Sequence, residues 1–355
     1  MIKGRGTDQE IAGRFQRQTV SPVDDGWPDT PHEESSAPET RCTEENARSI
    51  ITRNQSPDVP FEQSINPYRG CEHGCIYCFA RPSHAYVDLS PGIDFETRLT
   101  VKTNAPALLR KALAGRSYRC SPIVLGTNTD PYQPIERQYR VTRELLGILD
   151  ECRHPVSIIT KGSGILRDLD LLTSLARDNL VSVMVSLTSM DAGLKRSLEP
   201  RAASPQRRLH VMRTLAENGV PVGALIAPVI PALTDHELED LLHASADAGC
   251  DQAGYVLLRL PWEVRPLFQD WLEAHYPDRA ARVMNRLRQT RGGRDNDPGF
   301  GSRMRGTGPW ADLLGQRFHA ATRRYGLDCR RDTTLATHLF RAPDDTNGQL
   351  SLNLG

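Results

Sequence analysis

The sequence predicts an α/β fold: a partial (β/α)6 barrel with a helical C-terminal extension, preceded by a disordered N-terminal leader. Three observations predict it. Short runs rich in Val, Ile and Leu recur at SPIVLG (from 121), PVSIIT (155), VSVMVSL (181), PVGALIA (221) and QAGYVLL (252). Stretches with helical spacing lie between them. The strand signal then stops after LRLPWEV (258–264).

Each run is short, nearly continuous in apolar residues and bounded by Gly, Pro or Asn, as buried parallel strands are. The starts lie 34, 26, 40 and 31 residues apart, the size of a repeated βα unit. With a first strand near the cysteines at 71–78, six strands fit, short of the eight of a closed barrel. A doubly wound open sheet competes, because spacing alone does not separate the two.

The elements follow in order. Residues 1–45 (…DDGWPDTPHEESSAPETRCTEEN…) are polar, lack a hydrophobic period and read as disordered. Residues 46–260 carry the barrel. They open on NARSIITRNQSPDVPFEQSINPYRG, short β-like pieces broken by Pro, followed by hairpin-like runs at HAYVDL and ETRLTVK. The helical stretches are VTRELLGILDECR, ILRDLDLLTSLARD, SPQRRLHVMRTLAENG and TDHELEDLLHASADAG. Several begin at Ser, Thr or Asp and end at Gly or Asn, as caps require. Residues 261–340 read as helices, FQDWLEAHYPDRAARVMNRLRQ and WADLLGQRFHAATRRYG, joined by RGGRDNDPGFGSRMRGTG; 341–355 form a tail. Trp262 and Trp271 fit a helix packing on the barrel better than a base-stacking platform. Arg291, Arg294, Arg303 and Arg305 in the joining loop suit either phosphate contact or structural closure.

Composition narrows the function classes. At 355 residues, one domain per roughly 150 would give two, although α/β barrels run to about 250 residues as one unit. Hydrophobic residues at 38% and charged residues at 25% are ordinary for a globular chain. Lys+Arg 44 against Asp+Glu 44 leaves no net charge. That disfavours a globally basic nucleic-acid binder but leaves room for a local basic groove. No apolar run reaches the roughly 18 to 20 residues of a membrane span, and MIKGRGTDQEIAGRF lacks a signal-peptide core. The expectation is a soluble, cytoplasmic protein with no membrane partner.

The cysteines carry the chemistry. Eight in 355 residues are too few for a disulfide scaffold. Five are scattered, while Cys71, Cys75 and Cys78 form one C-x3-C-x2-C loop, Cys71-Glu-His-Gly-Cys75-Ile-Tyr-Cys78. Such a cluster in a reducing compartment points to metal ligation. A structural zinc needs four ligands, which His73 or His84 would have to complete. His73 otherwise reads as an exposed loop residue. A four-iron four-sulfur cluster usually takes four cysteines; held by three, it leaves one iron open to chelate a small molecule.

C-x3-C-x-aromatic-C, with Tyr77 in the aromatic position, resembles the signature of the radical S-adenosylmethionine (SAM) superfamily. The strings SINPYRGCEHGCIYCFARPSHAY, GTNTDPYQPIE and ITKGSGILRDLDLL resemble a narrower group: bacterial proteins related to spore photoproduct lyase, the DNA repair photolyase-like proteins. The resemblance covers roughly residues 50–330. It implies a partial (β/α)6 barrel with the cluster loop after the first strand. It implies a 4Fe-4S cluster on Cys71, Cys75 and Cys78, whose open iron chelates the amine and carboxylate of SAM. One electron would then split the sulfonium bond to give methionine and a 5′-deoxyadenosyl radical, which abstracts hydrogen from the substrate. A low-potential electron donor such as flavodoxin or ferredoxin is implied as partner, and a nucleic-acid lesion as one possible substrate class.

Several further residues are candidates for SAM binding. Asp130, beyond the second barrel strand, is placed to accept from the SAM ammonium, or else forms a turn before Pro131. Thr129-Asp130 stands where the superfamily often has a Gly-Gly-Glu-like element. The resemblance suggests Lys161 as a contact to the SAM carboxylate; otherwise it is a solvated loop lysine. Ser186, ending the fourth strand, can bond the ribose or carboxylate, or be an ordinary strand-end serine. Arg201 can clamp a carboxylate with its planar fork, or lie solvated. Tyr77 would present its ring and backbone to the adenine, or pack the barrel mouth. One departure limits the analogy. Spore photoproduct lyases carry a hydrogen-donating cysteine on the second strand, and the matching position here is Thr127, which has no thiol; Cys120 starts that strand near its opposite end. The rival reading is a non-catalytic iron–sulfur or zinc protein acting as redox sensor or scaffold.

Overall fold

In the computed structural model, which describes residues 4–15, 39–328 and 334–343, all five apolar runs become strands. In chain order come β1 (Arg41–Glu45), β2 (Ile51–Arg53), β3 (Gln63–Ile65) and β4 (Tyr68–Arg69). Then follow α1 (Asp94–Thr97), β5 (Arg98–Lys102), α2 (Ala105–Leu113), β6 (Ile123–Leu125), α3 (Glu136–Tyr139) and α4 (Val141–Glu151). The alternation continues with β7 (Val156–Thr160), α5 (Leu169–Arg177), β8 (Val181–Ser186), α6 (Ala192–Leu198) and α7 (Pro205–Glu217). It ends with β9 (Val222–Val229), α8 (Leu238–Asp247), β10 (Gln252–Leu257), α9 (Val264–His275), α10 (Pro277–Gln289) and α11 (Pro309–Tyr325).

The order of the large sheet decides between the two α/β architectures. It runs β10-β9-β8-β7-β6-β3-β2, with every neighbour from β3 to β10 parallel and β2 antiparallel on the edge. A doubly wound sheet reverses its strand order at a switch point. Here the six parallel strands follow chain order without reversal, so right-handed crossovers put their helices on one face. That is the winding of a barrel left open. Register aligns Ile65 with Leu125, Ile123 with Val156, Ile158 with Val183, and Val183 with Val222, all fully or almost fully buried. The helices cover the sheet with stripes at spacings of three and four, such as Leu238, Leu241, Leu242 and Ser245 on α8. Helix α7 starts at Ser204, whose hydroxyl accepts from the Arg207 N–H, with Pro205 in its first turn.

The C-terminal helices divide their work. Helices α9 and α10 build a second core in which Phe268, Trp271 and Leu287 meet Ile76, Leu198 and Ile230. The Trp271 indole donates to the Ser197 carbonyl at 3.1 Å. Helix α11 lies against α8 and β10: Arg317 makes two hydrogen bonds to Glu239 at 2.8 and 2.6 Å, and Phe318 packs on Tyr255 with centroids 4.7 Å apart. The Gly/Arg-rich loop is a structural closure. Arg291, 3% exposed, donates to the carbonyls of Leu257, Leu258, Ser302 and Arg303. Arg303 bonds Ser56 at 2.5 Å and pairs with Asp58.

Four expectations need correction. The leader is not disordered throughout: residues 4–15 lie against the barrel mouth, and β1 pairs in parallel with β5. Residues 1–3 and 16–38 of the leader lie outside the described residues. HAYVDL falls mostly in the 3-10 helix Arg81–Val87, opened by Pro82, and not in a hairpin. ETRLTVK spans the end of α1 and β5, which joins β1 and β4 in a small separate sheet. Trp262 does not pack in a helix: it precedes α9, is 64% exposed and stacks under the Arg14 guanidinium at 3.9 Å.

Two buried histidines make the fold acid-sensitive. His154 sits between Tyr118 Oη (2.7 Å) and the Pro155 carbonyl (2.9 Å), and His84 faces the Arg98 carbonyl at 3.1 Å. Burial lowers both to about 4. The unfolded chain therefore binds protons first as pH falls. Their contribution is complete above about 6.5 and is lost toward 4, amounting to about 2 kcal/mol for each at pH 5. Urea unfolding at pH 7.5 and pH 5 should show that loss, and equal midpoints would contradict it.

Candidate functional site

The cysteine loop follows β4 at the C-terminal mouth of the barrel, the end where such folds gather their chemistry. Its shape is fixed from below by a buried cation. Arg81, 0% exposed, donates Nε to the Cys75 carbonyl (3.0 Å), Nη1 to the Gly92 carbonyl (2.9 Å) and Nη2 to Glu96 (2.5 Å). Gly74 turns the loop at φ +66°, and a Cβ there would lie 2.7 Å from Glu96 Oε2. The Cys71 N–H donates to the Phe95 carbonyl at 2.9 Å.

All three thiols are largely buried, and burial raises each of them, Cys75 to about 12 with Glu199 adding to the effect. Opposing this, the Asp130 N–H faces the Cys71 sulfur, and the Ala80 and Arg81 N–H groups face Cys78. These amides suit ligated sulfur. His73 is not exposed as expected but 3% accessible, its Nδ1 turned to Asp130 at 3.3 Å, and His84 turns Nε2 to the Arg98 carbonyl and leaves Nδ1 buried without a partner. Among the described residues, no group of three or more His, Cys, Asp and Glu closes on one point as a single zinc would need. A four-iron cluster takes each thiolate on a different iron, and an all-thiol loop with no fourth cysteine in it fits such a cluster held at three corners.

Asp130 joins three loops. Its carboxylate accepts from the Tyr132 N–H (2.8 Å), the Thr160 hydroxyl (2.7 Å), the Lys161 N–H (2.7 Å) and His73 Nδ1. Burial would raise this carboxyl, but His73 and those donors hold it at about 2. A carboxylate has about four acceptor positions, and all are in use, so Asp130 orients the loop and offers no free position to a ligand ammonium. Thr129 is buried with its hydroxyl 3.5 Å from the Tyr68 carbonyl, and Thr127 bonds Asn66 at 3.2 Å.

Lys161 follows β7 and turns inward. Its ammonium lies 5.8 Å from the Tyr77 ring, close enough to pull down Cys75, Cys78 and Glu199, and makes no hydrogen bond among the described residues. Tyr77 is buried, and its hydroxyl donates to Glu199. Glu199 also accepts from Thr188 at 2.8 Å and pairs with Arg208. Arg208 donates in turn to the Ser186 carbonyl at 3.1 Å, tying the end of β8 to this group. Arg201 stands apart on the outer side, where it bonds Glu72 at 2.9 Å on the rim of a cavity of about 390 Å³ that His73 also lines.

The structure thus brings Cys71, Cys75, Cys78, Tyr77, Lys161, Asp130 and Ser186 to one end of the barrel. It adds Arg81, Glu96, Glu199 and Arg208, which the sequence reading missed. Arg208 had a signal: it occupies the apolar stripe of α7 with Pro205, Val211, Met212 and Leu215. Arg81, Glu96 and Glu199 had none.

A family model described as the radical SAM superfamily matches residues 65–244. This chain belongs to that superfamily. The matched span of the radical SAM protein runs from the end of β3 into α8 and contains every candidate residue above. Membership implies a 4Fe-4S cluster and SAM as cofactors and a source of electrons. A Mycobacterium bovis relative, named only as an uncharacterized protein, is 40% identical over 233 residues, covering 65% of this chain and 68% of its own. An uncharacterized protein of Methanocaldococcus jannaschii is 33% identical over 174 residues, 49% of this chain and 62% of its own. Solved structures of spore photoproduct lyase mutants align at a TM-score of 0.55, with 16% identity, over 80% of this chain and 79% of theirs. One of those holds AdoMet and a dinucleoside spore photoproduct. At that identity the likeness concerns the fold. Among the described residues, no helix is long and apolar enough to cross a membrane.

Proposed function

We propose that this protein is a radical SAM enzyme that binds one 4Fe-4S cluster through Cys71, Cys75 and Cys78 and cleaves SAM reductively. The observation that carries the reading is the juxtaposition of three thiols in one loop, Cys71 and Cys75 buried and Cys78 partly so, with Lys161, whose ammonium has no hydrogen-bond partner among the described residues. When bound, the cluster would supply the electron for reductive cleavage of SAM.

The chain's own residues do the holding. Lys161 takes the SAM carboxylate as a point charge, and Arg201 supplies a second cation at the outer rim. Ser186 would bond the ribose or carboxylate, and Tyr77 would present its ring and backbone to the adenine. Asp130 and Thr129 keep the second-strand loop against the cysteines. Residues 46–260 form the barrel, and α9 and α10 of the extension back the cysteine loop and would exclude water, which protects a radical from side reactions.

The substrate class we propose is a nucleic-acid lesion, on the relationship to spore photoproduct lyase. Thr127 lacks the thiol that hydrogen return by that enzyme's route needs, so that route is not part of the proposal. The electron donor is a low-potential flavodoxin or ferredoxin in the cytoplasm.

The test is anaerobic. Protein reconstituted with iron and sulfide, reduced with dithionite and given SAM should release 5′-deoxyadenosine, and cluster-free protein should not. A full cluster that neither binds nor cleaves SAM would replace this reading with a redox sensor or scaffold.

A further inference from the structure

Outside the residues that touch the cysteines, residues 4–13 run as an extended strap across the outer side of the loop. Its contact is set by shape. Gly6 lies so close that a Cβ would sit 1.9 Å from the Gly74 carbonyl, between Cys71 and Cys75. The strap backbone also presses on Gly92, where a Cβ would fall 2.1 Å from the Gln9 carbonyl. Hydrogen bonds fix it at both ends. Gly6 N–H donates to Glu96 at 2.9 Å, Gln9 accepts from Ile93 N–H at 2.9 Å, and Ile11 exchanges bonds with Ser90 at 2.9 Å.

The strap also brings charge. Glu72, next to Cys71, and Glu96, under Gly74, are both almost fully buried. Arg5, 7% exposed, donates to the Glu96 carbonyl at 2.8 Å and to Thr40 at 3.0 Å, and Thr40 in turn donates to Glu72 at 2.6 Å. The Arg5 guanidinium thus lies beside both acidic flanks of the loop, held to the backbone carbonyl of Glu96 and, through Thr40, to Glu72. Arg81 and Arg201 pair with the carboxylates themselves, Arg81 with Glu96 and Arg201 with Glu72.

We infer that Gly6 and Arg5 are positioning residues for the cluster: the strap is the outer wall of its site, and Arg5 supplies positive charge that offsets the two buried acids beside it. This rests on the reading of the loop as the cluster site. A thiolate-bound cluster is anionic, and its potential follows local net charge and solvent exposure. Removing Arg5 makes the surroundings more negative and reduction harder. Displacing the strap opens the loop to solvent and oxygen.

The experiment compares the full-length protein with Gly6→Val, Arg5→Gln and Arg5→Lys after anaerobic reconstitution. In Gly6→Val, trypsin should cut at Arg5 and Arg14, and the cluster absorbance should bleach in air several-fold faster than in the parent. In Arg5→Gln, the midpoint potential should move to more negative values and recover in Arg5→Lys, with the strap still protected from trypsin at Arg14. A strap freed to trypsin with the parent's bleaching rate would overturn the inference, as would a strap that stays protected despite the valine. So would the parent's potential in Arg5→Gln. Failure of the parent to take up iron would instead remove the proposed function, and it is seen before any variant is compared.

Discussion

Cys75→Ala is expected to abolish cluster assembly, leaving close to none of the about four irons per chain that a full cluster holds. The fold should persist. Arg81 bonds the Cys75 carbonyl and not its sulfur, so the loop keeps its anchor. The loss is one of ligation: with two thiolates, one more iron is open and the cluster has only two corners held. Cys250→Ala should leave the iron content unchanged, because that side chain belongs to the hydrophobic core of the barrel. The same holds for Cys329→Ala, at a position outside the described residues. Iron and sulfide assays on the three reconstituted variants decide this, and equal loss from all of them would end the three-ligand assignment.

The second large effect is on stability. Glu199 and Arg208 are each 1% exposed and paired with one another. Arg208→Ala should cost about 3 to 5 kcal/mol, since it leaves a carboxylate buried without its counter-ion. The double variant Arg208→Met with Glu199→Gln should recover most of that. Burial alone would raise Glu199, but Arg208, then Lys161, and hydrogen bonds from Arg208 and Tyr77 draw it down to about 2. In the parent this contribution is complete above the ordinary glutamate range and fades as pH falls toward 2. In Arg208→Ala that depression should shrink, so the acid limb should start at higher pH. Denaturant unfolding of the single and double variants measures both effects. A loss under about 1 kcal/mol in Arg208→Ala would mean that the pair does not hold this part of the site.

The barrel was legible because its strands are short runs dominated by Val, Ile, Leu and Ala. VSVMVSL and PVGALIA are mostly apolar, and β8 and β9 stand where they read. The cysteine loop was legible because its ligands are local: three thiols within eight positions need no fold to bring them together. The leader was not. Residues 4–15 are held by glycine contacts and hydrogen bonds to backbone, so their polar composition looks the same whether they are docked or free. Asp130 was found, but with a different task. Sequence placed it at the right end of the barrel, while only the structure shows that Thr160, Lys161, Tyr132 and His73 already use its oxygens. Arg81 and Glu96 were invisible for a related reason, because their value lies in a pairing across 15 positions that no local pattern marks.

The strap also bears on the order in which the molecule is made. Gln9 bonds Asp270 and Arg14 bonds Glu263, partners 261 and 249 positions further along the chain. Gln9 and Arg14 therefore cannot take their places until α9 has been synthesised and packed. Until then the cysteine loop is finished on its barrel side and uncovered on the other. If the loop holds the proposed cluster, iron and sulfide would have their access in that interval, before residues 4–13 dock.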